Sequence, residues 1–265
     1  VLCHSVSVDI YASYANHSRM LENDTLKVVP IPAFRDNYIW LLQRHGHAVL
    51  VDPGDAVPAL EYLRSHHLML DAILITHHHS DHIDGVEELM QVFPVTVYAP
   101  QKESYFFSHQ PVTENDEILL ATLGIRLKVM ETPGHTLGHV AYYGANCLFC
   151  GDTLFGCGCG RLFEGSGAQL YSSLQKLIQL PGETRVFCAH EYTLQNIRFA
   201  RMLDPGNTDL AKRENNVEAL RKHGSPTLPS TIALEIATNP FLRCDSAAIG
   251  KLAMQYFDKQ NFADP

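Results

Sequence analysis

Over residues 26–192 the hydrophobic pattern alternates short apolar runs with segments of helical period. The run at 72–75 is apolar and rich in branched side chains, which predicts a buried parallel strand. Helical spacing is found at 57–68, 85–93 and 168–180, and residues 100–116 predict loop and short helix. The other predicted strands are a pair around a polar turn within 26–43, a hairpin over 117–130 with Gly124 at its turn, and the runs 47–51, 95–99, 140–143, 147–150 and 185–189.

The period changes after residue 192. Helical spacing occurs at 196–203, 210–223, 231–237 and 247–257, and no strand is evident there. The pattern therefore predicts an α/β body over residues 26–192 and a smaller helical domain over residues 193–265. Residues 1–25 are polar and mixed and contain no obvious element, so we treat them as an N-terminal extension of unknown order.

Composition narrows the class of protein and its partners. Hydrophobic residues make up 46% of the chain and charged residues 18%, which is typical of a globular protein and excludes a disordered one. No apolar run approaches the roughly 18 residues of a membrane span, so no membrane partner is expected. The formal net charge of −9 disfavours binding to a phosphate backbone, and we expect no nucleic-acid partner.

The seven cysteines are an odd number without zinc-finger spacing. They predict reduced, mostly buried thiols in a cytoplasmic protein. Cys157 and Cys159 lack the two-residue separation of redox and metal pairs, and we interpret them as loop structure.

Candidate chemistry is densest at residues 76–82, Thr-His-His-His-Ser-Asp-His, directly after the strand predicted at 72–75. Imidazole nitrogens and carboxylate oxygens suit zinc or iron, and the carboxyl ends of strands are where α/β folds keep their active sites. A zincin helix is excluded, because His79 stands where that motif needs a glutamate. The alternative is a solvated polar loop, which has no use for four histidines.

Three more candidate ligands follow predicted strands, each beside glycine or a turn: His135, Asp152 and His190. One tetrahedral zinc needs four ligands, and a catalytic zinc needs three and a water. The set of candidate ligands is larger than either kind of zinc site requires. It fits two metal ions that share a bridging carboxylate.

Four segments resemble the metallo-β-lactamase superfamily: residues 76–82, Thr-Pro-Gly-His-Thr at 132–136, Cys-Gly-Asp-Thr-Leu-Phe at 150–155 and Ala-His-Glu-Tyr at 189–192. Residues 31–40, 156–165 and 239–243 resemble, more narrowly, the glyoxalase II (hydroxyacylglutathione hydrolase) family. The resemblance covers residues 26–243. It implies an αββα sandwich with the metals at its edge and a smaller all-helical C-terminal domain over the site.

The resemblance also implies the ligand set. His77, His79 and His135 would bind the first metal, Asp81, His82 and His190 would bind the second, and Asp152 would bridge the two. His78 and Ser80 fall between ligands and are assigned no contact with a metal. The ions are expected to be two divalent cations per chain, with zinc favoured and iron or manganese as alternatives.

The expected chemistry is hydrolysis of a thioester. Two dications lower the pKa of a shared water, so that hydroxide is available at neutral pH to attack the carbonyl. Asp152, which bridges the metals, and Asp81, which would orient the nucleophile, are the predicted catalytic residues. The leaving thiolate has a conjugate acid with a pKa near 8.5, so no strong general acid is required.

For the substrate, the resemblance implies that Arg161, Phe163 and Tyr192 contact the glutathione moiety. The family ends in a basic stretch that binds the glycine carboxylate, and residues 256–262 do not match it. Thr136 and Glu191 are candidates for supporting the metal ligands or for a purely structural role.

The resulting hypothesis is a monomeric cytoplasmic hydrolase that cleaves S-D-lactoylglutathione to D-lactate and glutathione, the second step of methylglyoxal detoxification. Two alternatives stay open: a glutathione persulfide dioxygenase with mononuclear iron on the same fold, and a non-catalytic metal-binding module. Oxygen uptake would favour the dioxygenase, and the absence of any turnover would favour the binding module.

Overall fold

A computed structural model describes residues 25–259, with side chains through residue 255. Two six-stranded sheets form its centre. The strands of the first sheet, in spatial order, are β1 (Lys27–Ala33), β2 (Asn37–Arg44), β3 (His47–Val51), β4 (Met69–Leu74), β5 (Thr96–Pro100) and β6 (Gln110–Val112). Strands β1 to β3 are antiparallel, and β3 to β6 are parallel.

The remaining strands are β7 (Glu117–Leu120), β8 (Ile125–Glu131), β9 (Val140–Gly144), β10 (Cys147–Gly151), β11 (Leu154–Phe155), β12 (Gly158–Cys159), β13 (Arg185–Cys188) and β14 (Ser230–Thr231). The second sheet has the order β14-β13-β10-β9-β8-β7, and only β10 and β13 are parallel neighbours in it. A small separate hairpin, β11 with β12, follows β10 along the chain.

Helices cover the sheets and make up most of the chain after residue 192. They are α1 (Ala56–Ser65), α2 (Ser80–Ile83), α3 (Val86–Val92), α4 (Gly167–Leu177), α5 (Thr193–Leu203), α6 (Thr208–Lys222), α7 (Ile232–Thr238) and α8 (Ala247–Lys259), with a 3₁₀ turn at Pro240–Leu242. Side chains cap several of them: Ser166 and Gln169 form a capping box at α4, and Asn207 caps α6. Over residues 25–259, no helix combines the length and the apolar character that crossing a bilayer requires.

Alternate residues of β2 explain the layered architecture. Trp40 belongs to the core between the two sheets. Its ring packs edge-on against the ring of Phe187, with 4.9 Å between the ring centroids. Ile39 and Leu41 belong to a second core, which Leu63 of α1 and other helical residues complete on the outer face of the first sheet. A strand buried on both faces needs an apolar layer on each side. The predicted αββα sandwich is thereby confirmed.

The structure corrects two sequence predictions. The segment 100–116, predicted as loop and short helix, contains β6, which pairs with β5 in parallel. Pro111 is tolerated there because β6 is an edge strand. The region after residue 192 does contain a strand, since β14 pairs with β13 at the edge of the second sheet. Strands of two or three residues are too short to produce a hydrophobic period.

The prediction of reduced thiols is confirmed for the described residues, among which all six cysteines are free and only Cys244 is exposed. Burial raises the pKa of Cys157 to about 11 and that of Cys159 to about 12, so both are protonated thiols at neutral pH. Cys159 lies in β12 rather than in a loop. Cys3 lies outside the described residues.

Candidate metal centre

All seven predicted metal ligands meet at one edge of the sandwich, although they come from four separate segments. The stretch 77–82 follows β4 and includes the first three residues of α2. The other candidate ligands lie in the β8–β9 loop, directly after β10 and just beyond β13. Because β4 and β10 are central strands with parallel neighbours, their carboxyl ends deliver these side chains to a common edge.

The first group of candidate ligands comprises His77, His79 and His135. Nδ1 of His79 lies 3.0 Å from Nε2 of His77 and 3.0 Å from Nε2 of His135. His77 and His135 are buried and His79 is half-buried. Three imidazole nitrogens that converge in this way can hold one cation.

The second group comprises Asp81, His82 and His190. Oδ2 of Asp81 lies 3.7 Å from Nε2 of His82 and 3.6 Å from Nε2 of His190. Asp152 stands between the two groups, because its Oδ2 lies 3.4 Å from Nε2 of His135 and its Oδ1 lies 3.4 Å from Nε2 of His190. One carboxylate oxygen therefore faces each group.

Two atoms at the centre of this arrangement indicate that a cation fits. Nε2 of His82 and Oδ1 of Asp152 are fully buried, have no hydrogen-bond partner and lie 3.5 Å apart. Buried polar atoms without partners are rare because leaving them unsatisfied is costly. A divalent cation would satisfy both, and nitrogen and oxygen donors of this kind suit zinc, iron or manganese.

The electrostatics of Asp152 and His77 favour metal ligation as well. Burial raises the pKa of the Asp152 carboxyl, but the facing imidazoles outweigh burial and hold that pKa well below its usual range. Burial lowers the pKa of His82, and the carboxylates of Asp152 and Asp52 more than reverse this and raise it to about 9. Burial, followed by the neighbouring imidazoles, holds the pKa of His77 well below its usual range. Asp152 is therefore ionised and His77 is neutral, as metal ligands must be, whereas the raised pKa of His82 means that a bound cation would displace its proton.

Hydrogen bonds orient the ligands through residues that the sequence analysis missed. Asp52 Oδ2 lies 3.0 Å from Nδ1 of His82, and the same carboxylate accepts hydrogen bonds of 2.7 Å from the backbone and hydroxyl of Thr76. His139 Nε2 accepts the backbone N–H of Asp152 at 3.1 Å. Such partners fix the tautomer and the ring orientation of a ligand. The available signal for Asp52 was its position at the end of β3, the strand beside β4.

Both ring nitrogens of His78 face glutamates and not the candidate ligands. Nδ1 of His78 lies 3.2 Å from Oε2 of Glu103, and Nε2 of His78 lies 3.4 Å from Oε1 of Glu164. Thr136 donates to Glu103 as well. Glu191 accepts hydrogen bonds from Tyr38 and Thr227, so neither Thr136 nor Glu191 bonds to a predicted ligand through these contacts.

The three predicted substrate-contacting residues surround the ligands. The ring of Phe163 lies 5.2 Å from the rings of His79 and His135 and is 60% exposed. The Arg161 guanidinium lies 5.5 Å from the Phe163 ring centroid. The Tyr192 ring stacks on His190 at 4.7 Å. The predicted mismatch at residues 256–262 concerns side chains that lie outside the described ones.

Close packing at Gly54 leads to a first prediction. A Cβ atom at this position would lie 1.9 Å from the carbonyl oxygen of Asp81, a contact that only movement of the backbone can relieve. We expect Gly54→Ala to lower the metal content and to destabilise the fold by about 1–3 kcal/mol. Elemental analysis and denaturant unfolding measure the two effects. Gly206→Ala is the control, because its Cβ meets nothing within 4 Å; equal losses in the two variants would contradict the prediction.

Two family models together match nearly all of the described residues. The family model of the metallo-beta-lactamase superfamily matches residues 33–190, and that of the hydroxyacylglutathione hydrolase C-terminus matches residues 191–263. The hydroxyacylglutathione hydrolase of Methylobacillus flagellatus is 57% identical over 223 residues, which cover 84% of this chain and 89% of the relative. The hydroxyacylglutathione hydrolase of Nitrosomonas europaea is 51% identical over 240 residues, which cover 91% of each chain.

A solved structure with similar architecture is that of TTHA1623 in a di-iron-bound form. It has 27% sequence identity and a TM-score of 0.59, and the match covers 81% of this chain and 100% of that one. The likeness agrees with the arrangement of two sheets and covering helices described above.

Proposed function

The chain belongs to the metallo-β-lactamase superfamily and, within it, to the hydroxyacylglutathione hydrolase family, and from this premise we propose that it hydrolyses S-D-lactoylglutathione to D-lactate and glutathione. The observation that carries the proposal is the convergence of the two ligand groups on Asp152 in a chain of this family. This reaction would be the second step of methylglyoxal detoxification.

Use of divalent metal follows from the superfamily and from the convergent histidines and aspartates. The number of ions and their identity are our proposal: two ions per chain, zinc first, with iron or manganese as alternatives. The first group would hold one ion, the second group the other, and Asp152 would bridge them. The di-iron form of the related TTHA1623 supports a count of two.

When bound, two such cations lower the pKa of a shared water and polarise the substrate carbonyl. Asp152 directs one oxygen toward each ligand group, so a single side chain sets the spacing of the groups. Asp81 places a negative charge at the edge of the second group, where it can orient the attacking water. The departing thiol has a pKa near 8.5 and leaves as thiolate without a proton donor.

Phe163, Arg161 and Tyr192 would bind the glutathione moiety. Phe163 offers an apolar surface beside the first group, and Arg161 adds a positive charge that suits the carboxylates of the tripeptide. Tyr192 stacks on His190, a member of the second group. A thioester carbonyl held between these side chains would lie against both ligand groups.

We further propose that residues 26–192 form the catalytic domain, which also carries the three substrate contacts named above, and that residues 193–265 form a substrate-binding domain that completes the glutathione site. A monomer is consistent with a ligand set that comes entirely from one chain. Free thiols in the described part of the chain fit a cytoplasmic location.

The test of the proposal compares two substrates with the purified protein. We expect release of D-lactate and free thiol from S-D-lactoylglutathione, and no oxygen uptake with glutathione persulfide. Oxygen uptake without thioester cleavage would show that the protein is a persulfide dioxygenase and not a thioester hydrolase. No turnover of either substrate by protein that contains two metal ions would favour a metal-binding module.

For the substrate side, we expect Phe163→Ala to raise KM by roughly tenfold with little change in metal content. The substrate would lose an aromatic contact worth about 1.5 kcal/mol, while the ligands stay in place. Steady-state kinetics at several substrate concentrations measure KM and kcat separately. Phe106→Ala is the matched control, because Phe106 is 58% exposed and lies beside α3. An unchanged KM in Phe163→Ala would remove Phe163 from the substrate site.

A further inference from the structure

The turn between β1 and β2 joins the two sheets at the candidate metal centre. The backbone N–H of Tyr38 donates to the carbonyl of Ala189 at 2.7 Å, and the N–H of Glu191 donates to the carbonyl of Asp36 at 2.9 Å. Asn37 and His190 form an isolated antiparallel bridge between these two contacts. The turn is therefore hydrogen-bonded to the residues on both sides of His190, so its side chains have a defined position relative to that ligand.

The two side chains at the end of this turn each contact a different member of the second group. Oδ1 of Asp36 lies 3.0 Å from Nδ1 of His190, whose Nε2 faces the other ligands. The amide of Asn37 donates to Oδ2 of Asp81 at 2.9 Å, and Asn37 is buried. A carboxylate on the far nitrogen fixes the imidazole tautomer. The amide of Asn37 holds the Asp81 oxygen that faces His82 and His190, and that oxygen keeps a second lone pair for a cation.

The first group is supported by other parts of the chain. Nδ1 of His135 donates to the backbone carbonyl of Arg161 at 2.6 Å, and Nδ1 of His77 lies 3.0 Å from the hydroxyl of Thr76. None of the hydrogen bonds of the described residues links Asp36 or Asn37 to His77, His79 or His135. Thr76 and Asp52 connect the two groups, since Thr76 contacts His77 and Asp52 contacts His82. Asp36 and Asn37 therefore differ from them in contacting the second group alone.

We propose that Asp36 and Asn37 are positioning residues for the second group alone, so that changing them weakens one of the two metal sites and spares the other. The inference rests on the ligand assignment proposed above. Loss of a residue that orients a metal ligand typically costs 10–100-fold in affinity. We expect a loss of about that size for one ion in Asp36→Ala and in Asn37→Ala. Asp36→Asn, which keeps a hydrogen-bond acceptor, should recover most of it.

Equilibrium dialysis against zinc buffers gives the number of ions per chain as a function of free zinc, without any substrate. The wild-type chain should bind two ions. Asp36→Ala should bind one ion with wild-type affinity and the other about 10–100-fold more weakly. Asp71→Ala is the matched control, because Asp71 makes the same kind of contact, 2.9 Å to Nδ1 of His47, away from the ligands. It should bind both ions as the wild type does.

Two single-site backgrounds identify which ion is affected. In a His190→Ala background the remaining ion belongs to the first group, and adding Asp36→Ala should leave its affinity unchanged. In a His135→Ala background the remaining ion belongs to the second group, and adding Asp36→Ala should weaken it. Equal weakening in both backgrounds, no weakening in either, or a wild-type chain that binds a single ion would overturn the inference.

The inference and the proposed function fail in different ways. A wild-type chain that binds two ions but does not cleave S-D-lactoylglutathione rejects the proposed function, while dialysis still decides the role of the turn. A chain that cleaves the thioester but loses both ions equally in Asp36→Ala rejects the inference and leaves the function intact.

Discussion

Asp152→Ala is expected to abolish thioester hydrolysis, with a loss of kcat/KM well above ~100-fold, and to lower the metal content. The reason is geometric, since Oδ2 of Asp152 faces His135 of the first group and Oδ1 faces His190 of the second. Loss of a residue that only orients a ligand costs roughly 10–100-fold, and loss of a shared ligand should cost more. Steady-state kinetics and elemental analysis of one preparation measure both effects.

A surface carboxylate provides the control for Asp152→Ala. Asp116 is exposed and bonds to Thr113 before β7, so Asp116→Ala should keep wild-type activity and metal content. If Asp152→Ala retains full activity and two ions per chain, the assignment of the bridging ligand is wrong.

Glu235→Ala should destabilise the fold by about 3–5 kcal/mol, because it leaves the buried guanidinium of Arg213 without its counter-charge. The Glu235 side chain is fully buried and accepts hydrogen bonds from Arg213, Ser230 and the backbone of Cys157. It therefore links the helices after residue 192 to the β11–β12 hairpin that follows Asp152. Denaturant unfolding measures the change in free energy.

Two comparisons show whether the effect comes from an unpaired buried charge. Glu214→Ala removes a half-exposed ion pair with Arg201 and should cost less than about 1 kcal/mol. Adding Arg213→Met to Glu235→Leu should restore stability relative to Glu235→Leu alone, because no charge then stays buried. A cost in Glu235→Ala no greater than that in Glu214→Ala would contradict this account of the network.

The central elements and the ligand cluster were predictable because each produces a local signal. The run at 72–75 is apolar and ends in the histidine stretch, and the structure extends that strand to Met69–Leu74 without moving its end away from the ligands. The hairpin that turns at Gly124 is confirmed, since this residue has a positive φ of 65°. Both features depend on residues adjacent in sequence.

The supporting residues were not predictable, because their partners are distant in sequence. Asp36 is 154 residues from His190, and Asp52 is 30 residues from His82. Each is an ordinary turn residue in the sequence. Contact between the two sheets brings Asp36 to His190, and the pairing of β3 with β4 brings Asp52 to His82. The two short strands were missed for a related reason, since neighbouring strands rather than a period of their own specify β6 and β14.

The central claim is that two metal ions held at one edge of the sandwich support hydrolysis of a glutathione thioester. Zinc is returned stepwise to the metal-free chain while bound ions per chain and the rate of D-lactate release from S-D-lactoylglutathione are measured in the same samples. The account predicts that hydrolysis appears as the ions bind and saturates at two per chain. Two bound ions without hydrolysis, or full hydrolysis by the metal-free chain, would contradict it.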